Sequence, residues 1–122
     1  MQTIPDLIEL YGKDYLICSG DLPCIVTGRI CEESVFYGLD PGAESTVIER
    51  FNLISGKQVD CNTAISTLSG GQKVILMTLL ALNSPAEKIL FHNLMHNLDI
   101  AKREIVRQLL EEYASAKTIR ET

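Results

Sequence analysis

Leu68-Ser69-Gly70-Gly71-Gln72-Lys73 decides how the rest of the chain is read. A Ser followed three residues later by Gln is a capping box, which marks a helix N-terminus. Two glycines in the first turn expose backbone N–H groups without side-chain cover, and the helix dipole adds partial positive charge at the same point. The Ser69 hydroxyl is a further donor. Such a turn suits a phosphate oxygen, in particular the terminal phosphate of a nucleotide. A capped helix that merely begins with two glycines uses the same residues, and Ser-x-x-Gln alone favours that plainer reading. Leu-Ser-Gly-Gly-Gln as a whole is rarer: average residue usage puts a chance match in a chain this short on the order of one in ten thousand.

Downstream, Val74 to Leu82 is apolar almost all round, as in a helix buried on most sides, and Asn83-Ser84-Pro85 stops it. Ile89-Leu90-Phe91 is a short continuous apolar run, expected as a central parallel strand. His92 to Asn97 connects it to a last helix, Asp99 to Ala116. Ala101, Ile105, Leu109 and Tyr113 recur there at helical spacing, joined by Val106 and Leu110, opposite a charged face of Lys102, Arg103, Arg107, Glu111 and Glu112.

Upstream, Met1 to Gly12 has no clear period, and Tyr15 to Cys18 reads as a buried strand. Ser19 to Pro23 is a loop, and Cys24 to Thr27 a short extension. Glu32 to Leu39 is ambiguous between strand and helix. Asp40-Pro41-Gly42 is a turn signal. Glu44 to Leu53 reads as a short helix with Val47, Ile48 and Phe51 on one face, ended by Ser55-Gly56-Lys57. Asp60 to Thr67 is loop-like. The expected fold is therefore α/β: strands near 15–18 and 88–91, helices over 70–82 and 98–116, and a helical element over about 44–54.

The string at 68–72 is also the signature motif of ATP-binding cassette (ABC) ATPases, and the chain resembles a partial, degenerate form of that domain over roughly residues 15 to 115. In the family the signature leads into a buried helix, a strand ending in Asp-Glu (Walker B) and a D-loop ending in Leu-Asp. Here Asn97-Leu98-Asp99 is similar to the D-loop, with Asp99 as its acid. Counting back places His92 at the magnesium-linked Asp and Asn93 at the catalytic Glu. The segment Ile25-Val26-Thr27-Gly28 with Glu32 to Leu39 is similar to the stretch after the family's Q-loop, and this puts Ser19 at its Gln. The resemblance implies a single P-loop NTPase-type domain over 1–122, with a small parallel sheet, packed helices and no P-loop portion. Residues 19–67 would be like the Q-loop and helical subdomain, and 68–116 like the signature, Walker B and D-loop region.

Gly-x-x-x-x-Gly-Lys-Ser/Thr (Walker A) occurs nowhere in the chain; Gly56-Lys57 is followed by Gln58, which lacks the magnesium-binding hydroxyl. The chain is expected to start after the P-loop strand and to end before an H-loop histidine. Phosphoryl transfer needs a phosphate cradle with Lys, a positioned magnesium and a group that orients water. An imidazole at 92 is a poor magnesium ligand, and an amide at 93 has essentially no basicity. Two plainer readings remain for His92, a core histidine with its hydrogen bond satisfied or an exposed turn residue, and the first is preferred.

Three functions stay open. In the first, the chain is a non-hydrolytic ABC ATPase-like protein that meets ATP in trans through Ser69, Gly70, Gly71 and Gln72. The ATP and Mg2+ are then held mainly by a partner that supplies the P-loop. In the second, it is one half of a split transporter ATPase that hydrolyses ATP only with its partner chain. In the third, the motif is a relic with a structural or interaction role. No catalytic residue is assigned and no activity is expected of the chain alone. The resemblance implies a homodimer or a hetero-complex with a complete ABC-type ATPase subunit, and through it a membrane permease.

Composition agrees with a globular domain: 122 residues, 46% apolar and 22% charged. A net charge of −5 makes nucleic acid and anionic lipid poor partners. No apolar run approaches a membrane span, and the N-terminus lacks a signal core. Cys18, Cys24, Cys31 and Cys61 form no Cys-x-x-Cys pair, so reduced, partly buried thiols in a cytoplasmic protein are expected rather than zinc. His92 and His96 are four apart, but a strand end and turn do not present them as a helix would, so no metal is assigned.

Overall fold

A computed structural model describes residues 3–24 and 28–122. The elements in chain order are α1 (Ile4–Tyr11), β1 (Leu16–Ser19), α2 (Ile30–Phe36), α3 (Pro41–Ser55), a 3-10 turn (Ile65–Thr67), α4 (Gly70–Leu82), β2 (Lys88–His92), α5 (Ile100–Tyr113) and β3 (Thr118–Glu121). The architecture is α/β, as expected. The extension over Cys24 to Thr27 falls mostly on residues 25–27, outside those described, as does the similarity drawn from Ile25-Val26-Thr27.

Three parallel strands form one sheet in the order β1-β2-β3, with Leu16 opposite Ile89 and Ile89 opposite Ile119. The central strand is the apolar one. Ile89, Leu90 and Phe91 are all fully buried, because a middle parallel strand is covered on both faces. Among the described residues β1 and β3 each pair on one side only, so both edges of the sheet are open.

Helix α4 is the hub of the core. Every residue from Val74 to Leu82 is buried, and the helix packs against α3, α5 and β1. Thr78 is the one polar residue in that run, and its hydroxyl donates back to the Val74 carbonyl at 2.8 Å, so no polar group is stranded. From α3 come Val47 and Phe51, both buried, with Ile48 partly so. From α5 come Val106, Leu109 and Leu110. Ala101, assigned to the buried stripe of α5 from its spacing, is exposed; it lies in the first turn, before the helix meets the core. A bidentate Arg50–Glu112 pair ties α3 to α5, with Arg50 Nη2 donating to Glu112 Oε1 at 3.0 Å.

Several boundaries differ from expectation. Residues 4–11, aperiodic in sequence, form a helix capped by Thr3, whose hydroxyl accepts from the Asp6 N–H while Asp6 accepts in return from the Thr3 N–H. Asp40-Pro41-Gly42 is a helix start rather than a turn. The Asp40 carboxylate accepts from the Ala43 N–H at 2.8 Å and Pro41 opens the first turn, where its missing N–H costs nothing. The ambiguous stretch from Glu32 resolves as α2. The last helix stops at Tyr113 rather than Ala116, and the chain turns into β3, which adds to the exposed side of β2.

Candidate functional site

The N-terminal turn of α4 carries the motif. Ser69 caps it: its Oγ accepts from the Gln72 N–H at 3.1 Å, and Gln72 Oε1 accepts from the Ser69 N–H at 2.9 Å. The first intrahelical bond runs from the Lys73 N–H to the Ser69 carbonyl. A helix leaves four N–H groups without intrahelical partners. The capping box satisfies two of them here, at Ser69 and Gln72. Among the described residues the Gly70 and Gly71 N–H groups have no acceptor. Because the Ser69 oxygen takes part as an acceptor, its proton remains available to an outside group. Capping and phosphate donation are rival roles for Ser69 in the sequence; the geometry permits both at once.

Ser69 and Gly70 are exposed, and a Cβ on Gly70 would meet nothing within 4 Å. Gly71 is closed in on one side. A Cβ there would lie 2.6 Å from Cδ of Lys102 and 3.7 Å from Leu98. The start of α5 thus packs against the start of α4, and glycine at 71 lets the Lys102 stem cross the helix end. Lys102 is held in that place by Asp99, whose carboxylate caps α5 by accepting from the Lys102 N–H at 2.8 Å and pairs with Lys102 Nζ at 3.1 Å. Those same bonds, the backbone one first, hold the Asp99 carboxyl below the usual carboxylate range. Asp99 is thereby engaged locally beside the motif. In sequence Lys102 belongs only to a charged helix face; no local signal marks it as a neighbour of the motif.

The second cluster forms at the carboxyl ends of the three strands, the usual binding edge of a parallel sheet. His92 closes β2, half-buried rather than in the core, and its Nδ1 lies 2.9 Å from Thr122 Oγ1. Of the two readings for His92, the satisfied hydrogen bond holds and full burial does not. Asn93 comes next with φ of 51°, a left-handed conformation that Asn tolerates better than most residues. Its N–H donates to the Thr122 carbonyl at 3.1 Å and its Nδ2 to Asp21 Oδ2 at 2.9 Å. Asp21 also lies 3.4 Å from Nδ1 of His96. Its carboxyl is held low chiefly by the Asn93 bond, and secondarily by the two histidines. Gly20 makes the approach possible: a Cβ there would come within 2.2 Å of the Asn93 carbonyl oxygen. Ser19 ends β1 and its hydroxyl accepts from the Asp21 N–H at 3.1 Å.

Tested against a magnesium nucleotide, the two clusters part. Two unpartnered glycine N–H groups and a serine hydroxyl fit an anionic oxygen. An imidazole and an amide already bonded to their neighbours do not fit magnesium, which takes oxygen ligands in strict geometry. Among the described residues no group of three or more His, Cys, Asp or Glu side chains is placed to hold a metal ion. Nor is any described helix long and apolar enough to cross a membrane.

Solved structures with the same fold define its class. The chain superposes with a TM-score of 0.60 and 22% identity on a protein described as a cobalt transport ATP-binding protein, over 87% of this chain and 41% of that one. It superposes with a TM-score of 0.63 and 15% identity on a bacterial Atm1-family ABC exporter with ATP bound, over 86% of this chain and 20% of that one. The fold is thus that of part of an ABC ATPase domain, and the chain spans less than half the length of either neighbour. No family model matches the sequence, and no curated protein matches it.

Proposed function

We propose that the chain is a non-hydrolytic, ABC ATPase-like element that acts by binding, through contact between the first turn of α4 and a nucleotide held in the P-loop of a partner. The observation that carries this reading is the pair of unpartnered N–H groups at exposed Gly70 and half-buried Gly71, beside a serine hydroxyl whose proton is free to turn outward. ATP with Mg2+ belongs mainly to the partner in this scheme. His92 and Asn93 supply neither a magnesium ligand nor a base in this scheme, and one side-chain nitrogen of each, His92 Nδ1 and Asn93 Nδ2, is engaged within the fold. The partner is a complete ABC-type ATPase subunit, or a second copy joined to one. A membrane permease is reached only through that complex, on the cytoplasmic side.

The test is nucleotide-dependent association. A complete ABC ATPase subunit from the same source, blocked in hydrolysis, is mixed with the chain with and without ATP and Mg2+, and the complex is tracked by sedimentation. The expected outcome is ATP-dependent assembly that Gly71→Asp abolishes. Assembly indifferent to ATP and to Gly71→Asp overturns the reading. The chain alone is expected to show no ATPase activity above background and no tight ATP binding by calorimetry; stoichiometric tight binding overturns it equally.

A further inference from the structure

Residues 28–30 meet residues 63–65 at an isolated antiparallel bridge outside the main sheet, and Cys31 follows in the first turn of α2. The Ile65 N–H donates to the Gly28 carbonyl at 2.7 Å, the Ile30 N–H to the Thr63 carbonyl at 3.1 Å, and the Cys31 N–H to the Cys61 carbonyl at 2.8 Å, around a bridge between Arg29 and Ala64. With standard bond lengths on either side, a backbone N–H···O bond of that length keeps the two Cα atoms within about 6.7 Å of each other. Disulfides span Cα separations of about 4.4–6.8 Å. Cys31 and Cys61 are both half-buried and not disulfide-bonded, so both are within reach of a small oxidant. The Cys61 thiol is held above its ordinary value by burial and then by the Cys31 thiol beside it. Cys18 is buried against the Tyr37 hydroxyl at 3.9 Å, and burial pushes the Cys24 thiol up to about 12.

We propose that Cys31 and Cys61 form a reversible dithiol–disulfide pair that, when closed, clamps the loop leading into α4 onto the start of α2. The co-reactant is a small-molecule disulfide. The thiolate of one cysteine attacks it, forms a mixed disulfide and expels one small thiolate. The second cysteine's thiolate then attacks the protein-bound sulfur, closes the Cys31–Cys61 bond and expels the other small thiolate. The two cysteine protons end on the two released thiols, and the two electrons lost by the protein reduce the co-reactant. The clamped loop continues through the 3-10 turn at Ile65–Thr67 directly into Leu68 and Ser69, so closure limits how far the start of α4 can move.

The experiment uses the wild-type chain, freed of reductant and treated with oxidised glutathione. The expected results are an intact mass lower by two hydrogens, one cross-linked peptide joining Cys31 to Cys61, and full reversal by dithiothreitol. Closure should raise the thermal midpoint by roughly 10 °C, the scale of a native disulfide in a domain this size. It should also slow amide exchange over residues 61–69. Cys31→Ser or Cys61→Ser should each abolish the cross-link, while the double variant Cys18→Ser with Cys24→Ser should keep it. Because the wild-type peptide map answers first, the result does not depend on any variant folding. The proposal is overturned by any of four results: protein left unoxidised, separate glutathione adducts on the two thiols, a bond that involves Cys18, Cys24 or a second copy, or a closed pair that leaves exchange over 61–69 unchanged.

Discussion

The first turn of α4 and the end of β2 are both places where this fold can present polar groups to a ligand, and they have been finished in opposite ways. At α4 the capping box is satisfied within four residues, and two N–H groups remain without an acceptor. At β2, His92 Nδ1 is bonded to Thr122 and Asn93 Nδ2 to Asp21, from the neighbouring strand ends. A group whose bonds are already made offers little to a ligand, since contact must first break them. The start of α4 thus leaves two donors without a partner, while the end of β2 uses polar side chains to tie neighbouring strand ends together.

The largest effect is expected from Gly71→Asp. It sets a carboxylate where phosphate approaches, and association with an ATP-loaded partner should fall about 100-fold or more, roughly 2.7 kcal/mol. Stability should change far less, because the atoms in the way belong to the flexible Lys102 stem and an acidic residue is tolerated at a helix N-terminus. Thermal melting beside the binding assay separates the two; a loss of binding matched by unfolding breaks the comparison.

Gly20→Ala attacks the other region. A methyl group 2.2 Å from the Asn93 carbonyl oxygen has only backbone to push against, so β1 and β2 must part at their ends. The cost should be about 2–3 kcal/mol in urea unfolding, typical of overpacking a tight contact. A neutral result would mean that the strand ends are not stitched together as described.

Smaller is Ser69→Ala, which should cost about 1 kcal/mol through the lost cap and also weaken association. Ser69→Asp restores the cap but not the donor, so stability should return while association does not. Recovery of both with Asp, and indifference to Gly71→Asp, would mark the motif as purely structural.

The smallest effect is a titration. Asp21 is held below the usual carboxylate range mainly by Asn93, so Asn93→Ala should raise its pKa toward about 3.9, read by carboxyl-carbon NMR against pH. A carboxyl depressed in the folded state stabilises it above the unfolded pKa of about 3.9, and that contribution is lost as pH falls through the lower folded value. Asn93→Ala should therefore flatten the acid limb of the stability profile slightly. An unmoved Asp21 would show that the stitch runs through His96 instead.

How much of this was legible depends on the range of each interaction. Ser69 and Gln72 are three residues apart, and their reciprocal bonds depend on nothing beyond them, so the start of α4 could be placed from the residues alone. The apolar runs of α4 and β2 likewise carry their burial in their composition, and the ABC ATPase fold emerged from that order of elements around one specific motif. Thr3 with Asp6 and Asp40 with Pro41 are equally local signals for α1 and α3, but an aperiodic stretch hides the first and an apparent turn the second. Only the tertiary structure could decide the rest. Strand β3 has a single apolar residue, Ile119, among Thr118, Arg120 and Glu121, and it is a strand because β2 offers it an open edge. Lys102 over Gly71, Asp21 against Asn93 and Cys31 beside Cys61 join residues far apart in the chain, through side chains too common to single out. Their meeting is set by helix packing, parallel register and a short antiparallel pairing, and the state of both candidate surfaces depends on it.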